Sequence, residues 1–275
     1  MSSTTNSKSG KGGKIVVSKI LGVIGGSGLC NILEMEVISS IIFKTPFGYP
    51  SDLLIHGRLN GNDIWFLPRH GRGHLIPPTS VPFRANVWAL KSVGVDAVLA
   101  FSAVGALADD INPGDLVLLD QIVDRTRHRP ESFFSEPGIV AHVSMADPFC
   151  MHGFRKLVKD AMVSNGGVLR DGGTVLCMEG PSFSTRAESL LHRMEGFHLV
   201  GMNAAQEAKL FREAELPFVT VALATDYDCW HEAEGDVTAG GVAEVMKANA
   251  HKAQELIPKV VELLKDGQLE DCPCC

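Results

Sequence analysis

From Ile15 to Lys265 the chain alternates short apolar runs with amphipathic segments, and this alternation constrains its fold more than any other feature. Pro217–Thr225 is almost continuously apolar, as is Val95–Ser102 apart from Asp96. Strands of that kind are buried on both faces, which a parallel sheet covered by helices provides. Further strands are expected at Lys14–Ile24, Asp52–Gly57, Asn62–Leu67, Gly114–Val123 and Gly173–Met178. Helices are expected from Ser80, as cap, through Lys91, then over Phe154–Val163, Thr185–Met194, Ala204–Glu215 and Ala239–Lys265. Gly94 falls just past the first helix, and Pro258 should kink or interrupt the last. The fold class is therefore α/β, a single domain with a mixed, mostly parallel central sheet flanked by helices. It is expected over residues 15–266, between a disordered polar tail (1–14) and a short C-terminal tail (267–275).

Charge and cysteine usage narrow the function classes. A net charge of −7 argues against a nucleic-acid groove, which needs a basic surplus, but leaves room for a local anion pocket. No apolar run reaches the roughly 20 residues that span a bilayer. The N-terminus lacks the apolar core of a secretory signal. Seven cysteines, an odd count with no two C-x-x-C motifs to pair, suit a reducing compartment, so a cytoplasmic location is expected. The terminal Cys272-Pro273-Cys274-Cys275 reads as a solvated tail, with prenylation or metal binding as alternatives.

Ligands of open α/β sheets bind beyond the carboxyl ends of the strands. Five such ends carry small, hydroxylated or charged residues: Gly25-Gly26-Ser27-Gly28, Arg69 to His74, Ser102 to Gly105, Glu179 to Ser184, and Asp226-Tyr227-Asp228. The glycine loop can present backbone N–H groups and a hydroxyl to an anion, or be only a tight turn. Arg69 and His70, with Arg72 and His74, can bind phosphate oxygens or form a solvated basic turn. Asp226 and Asp228 close an apolar strand, where burial raises a carboxyl pKa, or they are surface turn aspartates. Phe183 and Met202 can stack on a flat ring or fill core.

Six segments resemble, in order, the trimeric purine nucleoside phosphorylase family. They are GVIGGSG (22–28), RHGRGH (69–74), NPGDLVLLD (112–120), MADPFC (145–150), MEGPSFSTRAES (178–189) and ATDYDCW (224–230). The resemblance implies a phosphate site at Ser27, Arg69, His70, Ser102 and Ala103. It also implies a purine against Phe183 and Ser184, its edge read by Asp226 and Asp228 as the catalytic pair. Met202 would lie under the ribose, with Asn203 beside it. His74 and Val242 would border the 5′ substituent, and His142 would reach it from a neighbouring subunit of a homotrimer. Asn203 stands where the family has Ser or Thr, Gln206 where it has Pro, and Ala239 where a larger aliphatic residue narrows the 5′ pocket.

The implied activity is phosphate-dependent cleavage of 5′-methylthioadenosine to adenine and 5-methylthioribose 1-phosphate, with adenosine-type nucleosides also admitted by a roomier 5′ pocket. Its partners are a nucleoside and phosphate; no cofactor, metal, membrane or nucleic acid is called for. Phosphate is itself the nucleophile, and no Ser-His-Asp or Cys-His arrangement is evident. Asp226 favours a 6-amino purine, since the 6-oxopurine enzymes carry Asn there. A 6-oxopurine phosphorylase is the alternative within the class. A nucleotide-binding oxidoreductase or binding module using Gly25–Gly28 is the alternative outside it, though the third glycine of G-x-G-x-x-G is missing.

Overall fold

A computed structural model describes residues 19–29, 31–164, 169–231, 239–266 and 269, with backbone only at 169, 239–243 and 266. The expected N-terminal tail, the expected C-terminal tail apart from residue 269, and the cysteines at 30, 272, 274 and 275 lie outside them. In chain order the elements are β1 (Leu21–Gly25), β2 (Glu36–Ile41), β3 (Leu54–Leu59), β4 (Asn62–Pro68), α1 (Phe83–Ser92), β5 (Ala97–Ala106), β6 (Leu116–Leu118) and β7 (Gln121–Asp124). Then follow α2 (Gly153–Ser164), β8 (Leu169–Asp171), β9 (Thr174–Cys177), α3 (Arg186–Met194), β10 (Leu199–Gly201), α4 (Ala204–Glu213), β11 (Phe218–Asp226) and α5 (Ala239–Asp266).

All eleven strands belong to one mixed sheet that branches at β5. On one side run β1, β4, β3 and the edge strand β2, with β5–β1–β4 parallel and β4–β3–β2 antiparallel. On the other side β5 pairs in parallel with β11 along Val98–Gly105, while Gly105 and Ala106 pair antiparallel with β10. One branch continues β11–β6–β8, the other β10–β9–β7. The sheet thus opens around the carboxyl end of β5, which places the ends of β5, β10 and β11 side by side.

The pleat sends alternate residues to two cores. Val23, Leu99, Phe101, Val219 and Val221 face α2 and α5, whose Phe154, Val158, Leu256 and Val260 cover them. Ile24, Val98, Ala100 and Ala222 face α1 and α4, whose Val87, Leu90, Ala208 and Phe211 cover them. Two-sided burial is why β1, β5 and β11 read as unbroken apolar runs.

Several boundaries differ from the sequence reading. Ser80 does not cap α1: it ends a 3₁₀ turn over Pro78–Ser80, and the helix starts at Phe83 after Pro82 with no side-chain cap. Gly114–Val123 divides into β6 and β7 at Asp120, because its halves serve different branches. The strands β2, β8 and β10 were not expected. Exposed Glu36, Ser39 and Ser40 dilute the apolar signal of β2, and β8 and β10 are only three residues long. α5 continues through Pro258 without interruption. Thr185 caps α3 through a reciprocal box with Glu188.

Candidate active site

A cavity of about 470 Å³ opens where the sheet branches. It gathers Ser27, His70, His74, Ala103, Phe183, Ser184, Met202, Asn203, Asp226 and Asp228, all singled out from the sequence. Arg69 and Ser102 are buried beside it and do not line it. His142 is exposed, in the irregular segment before α2, and does not line it either. Val242 falls on α5, where only the backbone is described.

One end gathers the β1 glycine loop, Arg69, His70 and Asn203. Gly26 lets the β1 loop lie against the β5 end: a Cβ there would sit 2.4 Å from the Phe101 carbonyl and 2.9 Å from Arg69 Nη1. Arg69 lies behind this loop, fully buried. Its Nε and Nη2 donate to the two Glu207 oxygens (2.5 and 2.8 Å) and Nη1 donates to Phe101 O (2.7 Å). Three of the five guanidinium N–H groups are engaged in this way.

His70 differs from the expected donor. Nδ1 lies 2.8 Å from Ile76 O, so this nitrogen carries the proton, and Nε2 offers a lone pair. Burial first, then the neighbouring Arg69 charge, push its pKa down to about 4, which keeps the ring neutral at physiological pH. His70 therefore accepts a hydrogen bond at Nε2, and Asn203 Nδ2 lies 3.5 Å from that atom. Burial also lowers the pKa of His74, whose ring lies 4.4 Å from that of His70. Asn203 precedes α4 but makes no side-chain cap, and its buried Oδ1 has no partner among the described residues. That is an amide turned to the cavity in preference to its own helix.

The other end holds the carboxylates. A bulge between Ala224 and Asp226 inserts Thr225 and brings Asp226 opposite Gly105. A Cβ at Gly105 would lie 3.0 Å from Asp226 Oδ1 and 3.3 Å from Asp228 Cβ, so this position keeps the aspartates against the strand. Asp226 accepts from the Thr225 hydroxyl at Oδ2 (2.7 Å) and from the Asp228 amide at Oδ1 (2.8 Å). Asp228 takes a left-handed backbone, φ 53°, and its buried Oδ2 has no partner among the described residues. The unpartnered oxygen thus belongs to Asp228, while Asp226 braces the turn.

Between the ends lies an apolar strip of Val104, Met178, Val200, Met202 and Phe183, the last about half exposed. Gly180 admits Met202, whose Sδ would be 2.5 Å from a Cβ there. Leu75, Pro77, Pro78 and Met246 extend the apolar lining.

Sequence reasoning missed Glu207 as the brace of Arg69, and Arg129 altogether. Glu–Arg pairing over 138 residues leaves no local signal, and Arg129 lies in an irregular segment.

A family model described as the phosphorylase superfamily matches residues 20–264. The chain belongs to the phosphorylase superfamily. Within it, the S-methyl-5′-thioadenosine phosphorylase of Geobacter sulfurreducens is 43% identical over 258 residues, covering 94% of this chain and 89% of that protein. The protein of the same name from Hyperthermus butylicus is 48% identical over 258 residues, 93% and 92% of the two chains. Among solved structures, methylthioadenosine phosphorylase from Schistosoma mansoni in complex with adenine superposes with a TM-score of 0.87 at 35% identity, covering 91% of this chain and 93% of that one. A mutant of the Schistosoma mansoni adenosine/methylthioadenosine phosphorylase in complex with methylthioadenosine gives 0.85 at 34% identity, covering 91% and 93%. The superfamily and the α/β fold with its mixed sheet agree with the expectations from the motifs.

Proposed function

We propose that the chain is an S-methyl-5′-thioadenosine phosphorylase, cleaving the nucleoside with inorganic phosphate to adenine and 5-methylthioribose 1-phosphate. The observation that carries this reading is the two-ended cavity, with Ser27, His70 and Asn203 at one end and the unpartnered Asp228 Oδ2 at the other. Relatives of that name, similar over nearly the whole chain, support it.

Phosphate enters at the glycine loop, bound by Ser27 and the backbone around Ala103, with Ser102 behind. Arg69 supplies positive charge from beneath the loop, and Glu207 fixes its orientation. Neutral His70 accepts the O–H of monohydrogen phosphate at Nε2, and Asn203 takes the place of a hydroxyl beside it. The ribose lies over Met202, and the purine lies against Phe183 and Ser184. Phosphate oxygen attacks C1′ as the bond to the purine nitrogen breaks, and the ring departs with a proton delivered to N7 from the Asp226 carboxyl, which regains one from solvent after release. The phosphate dianion offsets the positive charge that develops on the ribose. The Asp226–Asp228 pair faces N7 and the exocyclic amine: Asp226 stands where the 6-oxopurine enzymes carry Asn, and Asp228 Oδ2 is a further acceptor, so the pair favours a 6-amino purine over a 6-oxopurine.

His74 and Leu75 border the 5′ substituent. His142 reaches it from a neighbouring subunit of a homotrimer. Its segment carries Phe134, Ile139, Val140 and Val143, all exposed apolar side chains of the kind an interface covers. No described helix is long and apolar enough to cross a membrane, and a cytoplasmic location fits the scattered cysteines.

Phosphorus NMR of the reaction with 5′-methylthioadenosine tests the reading. A sugar 1-phosphate signal growing in step with adenine supports it. Adenine accompanied by free 5-methylthioribose and unchanged phosphate makes the enzyme a hydrolase and overturns it.

A further inference from the structure

The two walls that hold ribose and base come from different strand ends. Met178 follows β9 and Met202 follows β10; the strands are parallel neighbours, and the Met178 amide still donates to Gly201 O at 2.9 Å. Beyond that bond the chains diverge, one into the Glu179–Ser184 loop and the other into α4. Met202 and Gly180 nevertheless remain in contact across the gap.

A single buried guanidinium spans the divergence. Arg129 Nη1 donates to Met202 O and Nη2 donates to Glu179 O and to Met178 O (3.3 Å), while Nε donates to Glu179 Oε1 (2.9 Å). Nη1 also donates to Gln206 Oε1 (3.1 Å) in the first turn of α4. Gln206 is fully buried, and its Nε2 donates to Asp124 Oδ2 (3.1 Å) and to Thr126 Oγ1 (2.8 Å). Lys209 donates to the same Asp124 oxygen (2.7 Å). Burial alone would raise the Asp124 and Glu179 carboxyls; hydrogen bonds from Lys209 and Thr126 to Asp124, and from the Arg127 amide and Arg129 to Glu179, outweigh it and hold both below their ordinary values. The network is thus charged and closed, a pre-organised fork that an amine on a flexible stem cannot reproduce.

We infer that Arg129 is a positioning residue for the nucleoside half of the site: it fixes the separation of Met202 from the Met178–Ser184 wall, and Gln206 fixes Arg129. This rests on the phosphorylase reading above. None of these bonds reaches Ser27, His70 or Ala103; the bond to Met202 O touches the phosphate end only through the peptide shared with Asn203, and Arg69 is braced separately by Glu207. Loss of the fork should therefore disturb nucleoside binding more than phosphate binding. A merely structural arginine would lower stability without separating the two substrates.

The test compares wild type, Arg129→Met, Arg129→Lys and Arg129→Ala by KM for 5′-methylthioadenosine, KM for phosphate, and thermal midpoint. In Arg129→Met the nucleoside KM should rise by about tenfold or more while the phosphate KM moves by less than about threefold. Arg129→Lys should resemble Arg129→Met, because one ammonium cannot bridge both walls. Added guanidinium ion should lower the nucleoside KM of Arg129→Ala and leave that of wild type unchanged. If Arg129→Met fails to fold, Arg129→Lys and Gln206→Leu carry the comparison. A folded variant with both KM values within about twofold of wild type, or with both raised equally, overturns the inference. Absence of phosphate-dependent turnover in wild type would instead refute the phosphorylase reading.

Discussion

Arg69 and Glu207, 138 residues apart in sequence, meet in a buried two-pronged ion pair directly beneath the glycine loop. The pair joins the end of β4 to the first turn of α4, so the Arg69 charge is fixed by the helix that Asn203 immediately precedes. Breaking such a pair from one side leaves a buried charge without its counterpart, at a cost of about 3–5 kcal/mol. Glu207→Ala should lower the urea midpoint by a corresponding amount and raise the phosphate KM more than the nucleoside KM. Chemical denaturation together with initial rates at varied phosphate checks both parts.

His70 makes stability pH-dependent on the acid side. Its folded pKa is about 4, against an ordinary value of 6.5. Above pH 6.5 the ring is neutral in both states; as pH falls from 6.5 to about 4 the unfolded chain takes up the proton first. Stability is therefore lost progressively through that window, by about 3 kcal/mol in all from this group. Denaturation midpoints measured from pH 7 to pH 4 should fall less steeply in His70→Gln than in wild type. The same neutrality means that phosphate affinity should show no transition attributable to His70 between pH 6 and pH 8, roughly its neutral range.

Gly180 carries two constraints at once: φ is 66°, and a Cβ would come within 2.5 Å of Met202 Sδ. Gly180→Ala should displace Met202, raise the nucleoside KM by about tenfold and cost about 1–3 kcal/mol in stability. Pairing it with Met202→Ala, which removes the obstruction, should recover part of the stability in a double-mutant cycle.

Thr185→Ala removes one half of the α3 capping box. A loss of about 1 kcal/mol is expected, read as a lower thermal midpoint.

How much of this was legible in the sequence differs from residue to residue. β5 and β11 were plain because two-sided burial writes itself as unbroken apolar runs. β10 was not, since three residues give no period, yet Met202 and Asn203 depend on it. Strand-end polarity located Asp226 and Asp228, but the bulge at Thr225 and the left-handed turn at Asp228 decide which carboxyl stays unpartnered, and neither leaves a mark in composition. The basic cluster at Arg69–His74 was visible as a cluster. That Arg69 lies behind the cavity and His70 turns its lone pair outward follows from distant partners, Glu207 and the Ile76 carbonyl, which only folding supplies. Arg129 stood in a segment without periodicity and drew no attention, though it contacts both walls.

The central claim is that phosphate attacks the nucleoside while the Asp226–Asp228 pair receives a 6-amino purine. Adenine release from 5′-methylthioadenosine, followed with and without phosphate in wild type and Asp228→Asn, tests it most directly. The account predicts release that requires phosphate, falls by about a hundredfold or more in Asp228→Asn, and shifts towards inosine in that variant. Release at the same rate without phosphate, or an Asp228→Asn enzyme as fast and as selective as wild type, would contradict it.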